Sequence, residues 1–361
     1  MRQYKVIVSR LNVRKAPVSD FKEKNVITTV GMGKILELDE VLVVPNPSLG
    51  KWYTDGLEQY YSGTGLQLFE HVAFADLSLP VPWWISQLGI DTIWKNYNEK
   101  GKLAKVAVID TGYNISNPEI SKGVTGTYLH PSFVGKTTIN DNDGHGSYCS
   151  SIIGARNLQN IIGCAPECEL YISKMSDSNG YNKTKLNDAI EDAILHNVDI
   201  ISISVGGIPF APLQIALQKA IAKNIIVLAS IGNNGGTVHI DGGEYPALYP
   251  ECLAVGSSDK DNKISLVTLN NPKTEINAPG EEITGYALNA FPQKYGTSTS
   301  AATAVAAGIC ALVISYCKQH GKNYSYSLIK DLILNNCDAS NDALPKKIIS
   351  PTKIFNQLQT I

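Results

Sequence analysis

Val106-Ala107-Val108-Ile109-Asp110-Thr111-Gly112 is the stretch that decides the fold. Four apolar residues in succession leave no polar face for water. Such a run is expected as a central parallel strand covered on both sides. Downstream, Leu186, Ala189, Ile190, Ala193 and Ile194 recur at helical spacing, and Asp199-Ile200-Ile201-Ser202-Ile203-Ser204 reads as the next strand. Leu213 to Ala222 is helical in pattern, and Ile225-Ile226-Val227-Leu228 is another buried strand. Alternation of this kind predicts an α/β fold with a doubly wound parallel sheet over residues 85–361.

Upstream the pattern changes. Residues 1–70 alternate apolar and polar residues in short runs, such as Lys5-Val6-Ile7-Val8 and Lys34-Ile35-Leu36-Glu37-Leu38, punctuated by Gly, Pro, Asn and Asp. A small all-β barrel is expected there. Residues 71–84, with Pro80, Pro82 and two tryptophans, read as a linker or docking strap. The first segment resembles a bacterial SH3-like domain in Leu11-Asn12-Val13-Arg14 followed by Pro17, in Gly31-Met32-Gly33, in Lys51-Trp52-Tyr53 and in Tyr60-Tyr61-Ser62. Two roles are open for it: binding a peptide or cell-wall fragment, or regulating the larger domain.

Composition narrows the function classes. The chain has 361 residues, 43% hydrophobic and 18% charged, with a formal net charge of -2. A sizeable core can form, and the basic excess of a nucleic-acid binder is missing. No run of about 18 apolar residues predicts a membrane span. The N-terminus MRQYKVIVSRLNVR reads as a strand rather than a secretion signal, so a cytoplasmic location is expected. The seven cysteines are scattered and mostly in apolar surroundings, as buried free thiols would be. Cys164 and Cys168 lack a second Cys/His pair nearby, which argues for packing rather than zinc.

Chemistry gathers at strand ends in open α/β sheets. Asp110 ends the first buried strand, where it reads either as a functional carboxylate or as a cap on the next turn. His145, in Asn142-Asp143-Gly144-His145-Gly146-Ser147, precedes an Ala/Ile/Gly-rich helix, and by itself reads equally as a loop histidine.

Together these segments resemble the subtilase family of serine proteases. The carriers are Asp110-Thr111-Gly112, the stretch Gly144 to Gly154 with Ser147-Tyr148 where Thr-His is usual, and Ile162-Gly163-Cys164-Ala165-Pro166. Further matches are Ser204-Val205-Gly206-Gly207, Ser230-Ile231-Gly232-Asn233, Tyr245-Pro246-Ala247 and Ala254-Val255-Gly256. The resemblance covers about residues 80–340 and implies a serine endopeptidase with a catalytic Asp110–His145–Ser triad. It further implies Asn233 as oxyanion donor and Ser204, Val205 and Gly206 as the strand that pairs with substrate backbone. No segment reads as the usual subtilase propeptide.

The serine is where the sequence departs from the family. Gly296-Thr297-Ser298 matches the nucleophile motif literally, but the glycine eight residues further on falls after Ser300, at Gly308. Two extra residues inside a buried helix would turn every side chain by about 200°, whereas a preceding loop absorbs them. Ser300 is therefore favoured, with Ser298 as the alternative. Ser298 and Ala304 then replace the usual Gly and Pro.

By the same resemblance, Glu244, just before Tyr245-Pro246, lines the base of the primary specificity pocket and would favour Lys or Arg before the scissile bond. Read without it, Glu244 is a solvated loop residue. Cys149 lies one helical turn beyond His145, as a packing thiol does in some subtilases. Calcium is common in the family, but no cluster of carboxylates has a calcium-loop pattern, so no metal site is predicted. The competing reading is an inactive protease-like fold that binds peptide through its SH3-like domain.

Overall fold

The computed structural model describes residues 81–133, 135–158, 161–176, 182–233, 241–288 and 297–360 with their side chains. Outside these it describes the backbone of the strands within residues 2–69 and of 293–294. The chain divides into two compact units, Met1–Ser78 with Asn289–Phe291, and Leu79–Leu288 with Pro292–Ile361.

In the first unit the strands are β1 (Arg2–Val6), β2 (Arg10–Arg14), β3 (Val26–Gly31), β4 (Ile35–Val41), β5 (Trp52–Thr54), β6 (Tyr60–Ser62) and β7 (Leu66–Phe69). They pair antiparallel in the order β3-β2-β6-β5-β4-β1-β7. The side chains and loops on which an SH3-like barrel would be judged lie outside the described residues. So do residues 70–80 of the stretch read as a linker.

The second unit opens with α1 (Trp83–Gln87) and α2 (Ile90–Asn96), and Trp84 is fully buried. Then come β8 (Lys105–Asp110), α3 (Pro118–Ser121), β9 (Val124–Leu129), α4 (His145–Gly154), β10 (Glu169–Lys174) and α5 (Lys183–Leu195). After them follow β11 (Ile200–Ile203), α6 (Ala211–Ala222), β12 (Ile226–Ser230), β13 (Leu253–Ser258) and β14 (Ile276–Pro279). The small hairpin β15 (Thr284–Gly285) and β16 (Gln293–Lys294) leads to α7 (Thr299–Gln319). The C-terminal elements are α8 (Tyr326–Asn335), β17 (Cys337–Ala339), β18 (Lys347–Ile349) and α9 (Pro351–Leu358).

The main sheet has the order β17-β18-β14-β13-β12-β11-β8-β10-β9 and is parallel except at β17–β18. Val106 and Val108 of β8 pack with α4 and α7, while Ala107 and Ile109 pack with α5 and α6. Each fully buried valine or isoleucine contributes about 1.5–3 kcal/mol. That two-sided demand is why the run contains no polar residue before Asp110. The winding reverses at β8: the chain goes out to the edge strand β9, fills the gap with β10, then builds β11 to β14 on the other side. The crevice beyond the C-terminal ends of β8 and β11 is thus the place where such sheets bind ligands.

Helix α7 is long and apolar enough to cross a membrane, with a mean hydropathy of 1.8 over an 18-residue window, yet that window is entirely buried inside the unit. Its Ala, Gly, Ser and Thr residues break up any purely apolar run. They also let it pack closely: a side chain at Gly308 would collide with Cys164. That close approach holds the helix against the Cys164 segment.

Candidate active site

Asp110, at the end of β8, is fully buried. Its carboxylate accepts the Nδ1 proton of His145, the first residue of α4, at 2.8 Å (Oδ1) and 2.9 Å (Oδ2). A carboxylate only accepts, so Nδ1 carries the proton and Nε2 is left as the basic nitrogen. The imidazole keeps 25% exposure, which leaves one edge open to the crevice. Partial burial pulls the His145 pKa down. The Asp110 charge outweighs it, helped by the Cys149 sulfur 4.0 Å from Nδ1, and leaves the pKa well above the usual imidazole value. Cys149 is fully buried in α4.

What holds α4 in place was missed in the sequence. Gly144 at its N-cap supplies no capping side chain. The buried carboxylate of Asp141 takes that role from outside the helix. Its Oδ1 accepts the amides of Asp143 (3.0 Å) and Gly144 (2.8 Å) and the Thr111 hydroxyl (2.9 Å). Its Oδ2 accepts the Ser147 amide (2.8 Å) and hydroxyl (2.6 Å). Burial pushes the Asp141 pKa up, but the Ser147 hydroxyl and the Gly144, Ser147 and Asp143 amides outweigh it and hold it below the usual range. An acidic residue four positions before the histidine was the available signal. Tyr148, where the family has His, is buried and donates its hydroxyl to Ile283 O at 2.9 Å.

The two candidate serines differ in environment. Ser298 is the N-cap of α7, with extended backbone, and its Oγ accepts the Ala301 amide at 3.2 Å. That is the standard use of serine before a helix. Ser300 lies in the first turn, beside β11. Its Oγ donates to Ser204 O at 3.3 Å, and Ser204 Oγ donates to Ser300 O at 3.2 Å. Between them, Thr299 donates its amide (2.9 Å) and hydroxyl (3.0 Å) to Asn233 Oδ1. With Oδ1 engaged twice, Nδ2 is the arm of exposed Asn233 that remains to donate. Thr299 was not singled out in the sequence, although it stands between the two serines.

Glu244 is half-buried and sits between two glycines. A side chain at Gly206 would overlap the Glu244 carboxylate, and a Cβ at Gly232 would lie 3.1 Å from its Cδ. Burial raises its pKa. Its amide donates to Ile231 O at 3.0 Å, and Tyr245 and Gly207 exchange backbone hydrogen bonds of 3.0 and 2.9 Å. The Glu244 side chain thus lies in the space between the partly exposed segment Val205-Gly206 and Gly232. Among the described residues, one group of three could hold a metal ion: Asp110, His145 and Cys149. Thiol and imidazole donors do not suit calcium, so no calcium site is assigned.

Residues 101–349, more than half of the chain, match the Subtilase family. The chain belongs to the subtilase family. It is 35% identical over 227 residues to the "Major intracellular serine protease" of Bacillus subtilis (strain 168), covering 60% of this chain and 70% of that protein. It is 32% identical over 242 residues to the "Intracellular serine protease" of Paenibacillus polymyxa, covering 64% and 72%. It is also 31% identical over 234 residues to the "Minor extracellular protease Epr" of Bacillus subtilis (strain 168), covering 64% of this chain and 35% of that protein. This subtilase is a serine endopeptidase, a hydrolase whose substrates are proteins or peptides.

Proposed function

We propose that this subtilase cuts peptide bonds through Asp110, His145 and Ser300, with Asn233 as oxyanion donor. The Ser300 hydroxyl attacks the scissile carbonyl and passes its proton to His145 Nε2. Asp110 holds the Nδ1 proton and balances the imidazolium charge. The oxyanion takes a hydrogen bond from Asn233 Nδ2. His145 then returns the proton to the leaving amine, and water attacks the acyl-enzyme by the same route. The long Ser300–Ser204 bond is readily exchanged for one to Nε2 when substrate arrives. The observation that supports the choice of Ser300 is the use of Ser298 as the cap of α7, which engages its Oγ, while the Thr299–Asn233 bonds leave Asn233 Nδ2 to donate.

Ser204, Val205 and Gly206 pair with the substrate backbone, and the side chain before the scissile bond enters beside Glu244. The Glu244 carboxylate makes Lys or Arg the favoured occupant there. A bound cation offsets the desolvation that raises the Glu244 pKa, so the preference is present when the carboxylate is ionised and fades as pH falls through its pKa. Paired chromogenic peptides ending in Arg and Phe test this. The Arg peptide is expected to be cleaved faster, and Glu244→Gln to remove most of that advantage. Equal or faster cleavage of the Phe peptide by the unmodified enzyme would sink the preference. Seven free thiols, six of them buried, and relatives named as intracellular support a cytoplasmic site of action, although an extracellular relative also matches.

A further inference from the structure

We infer that Asp141 is a positioning residue for catalysis: one buried carboxylate sets the distance between Asp110 and His145. The inference rests on the triad proposed above. Its basis is the set of groups that Asp141 joins. Thr111 directly follows Asp110 and ends the strand side of the site. Gly144 and Ser147 bracket His145 on the helix side. Asp141 Oδ1 accepts from both sides at once, from Thr111 Oγ1 at 2.9 Å and Gly144 N at 2.8 Å, while Oδ2 takes both donors of Ser147. Thr111 closes the bracket by accepting the Gly146 amide on its hydroxyl at 2.9 Å. Residues 144, 146 and 147 are thus tied, around His145, to the residue next to Asp110.

This is more than helix capping. A cap satisfies amides of its own helix, and the Asp143, Gly144 and Ser147 amides would be satisfied by any acceptor there. The Thr111 hydroxyl comes from the residue just after β8 and reaches α4 from outside the helix, accepting the Gly146 amide while donating to Asp141. Its presence makes the bracket span the two elements whose relative placement determines the 2.8 Å Asp110–His145 contact. Lys174, whose Nζ donates to the Asn140 carbonyl at 2.6 Å, buttresses the same segment. Asp141 touches neither substrate nor the reacting atoms, so its effect is transmitted entirely through Asp110 and His145.

The test compares full-length wild type, Asp141→Ala, Thr111→Val, Thr111→Ser and Ser300→Ala on one chromogenic peptide, with thermal melts run in parallel. Misplacement of a reacting group by about 1 Å costs roughly 10²-fold. Asp141→Ala is therefore expected to lose about that factor in kcat, with KM within about twofold. Thr111→Val keeps the side-chain volume but cuts the link between strand and helix. It is expected to lose kcat about fivefold to tenfold with KM unchanged, and Thr111→Ser, which keeps the hydroxyl, to restore it. If Asp141→Ala does not fold, the Thr111 pair alone decides. Wild-type kcat in folded Thr111→Val, or a loss confined to KM, would overturn the positioning role. An inactive wild type, or an active Ser300→Ala, would instead refute the triad on which it rests.

Discussion

The N-termini of α4 and α7 each present one member of the proposed triad in the first helical turn, but they are anchored in opposite ways. Helix α7 is capped from within the chain's own sequence: Ser298 accepts the Ala301 amide, two positions ahead of Ser300. Helix α4 begins at a glycine without a cap, and Asp141 supplies the acceptor from a neighbouring turn. The difference follows from the side chains each end must hold. His145 has to meet a carboxylate on another element, so its helix is tied to that element. Ser300 needs only its own turn and the Thr299–Asn233 lock beside it.

The comparison breaks most severely at Ser300. Ser300→Ala is expected to lower kcat about 10⁶-fold, the scale on which the loss of a triad serine is felt, measured as initial rates of peptide cleavage. Asp110→Asn leaves the imidazole without its partner and is expected to cost about 10⁴-fold in kcat. It should also show in the pH profile. With Asp110 in place the His145 pKa is held above the usual value, and only the neutral ring acts as base. Activity is therefore lost as pH falls through a midpoint above 6.5. Asp110→Asn should move that midpoint down. Asn233→Ala is expected to cost about 10²–10³-fold in kcat with little change in KM.

At the small end, Ser298→Ala sharpens the contrast. It removes only a cap, worth about 1 kcal/mol, and should lower the melting temperature slightly with cleavage near the wild-type rate. The same contrast explains what could be read in advance. The sheet was legible because Val106 to Ile109 and Ile225 to Leu228 state their burial in a run of residues. Ser300 was preferred over Ser298 in the sequence because Gly308, which packs against Cys164, falls eight residues after it. Asp141 was not singled out: its place four residues before the histidine was the sole signal, since most of its partners are backbone amides. The packing of Glu244 against Gly206 and Gly232 was not legible, since these glycines follow separate strands. Helix α7 also escaped the hydropathy reading, because burial there is achieved with small residues rather than with an apolar run.

The proposed mechanism turns on which serine is the nucleophile. Fluorophosphonate labelling of Ser298→Ala and Ser300→Ala, with the modified peptide located by mass spectrometry, tests that directly. Ser298→Ala is expected to be labelled at Ser300 at close to the wild-type rate, and folded Ser300→Ala to take up no label. Label on Ser298 in the Ser300→Ala protein, or its loss from a folded Ser298→Ala protein, would contradict the choice of Ser300.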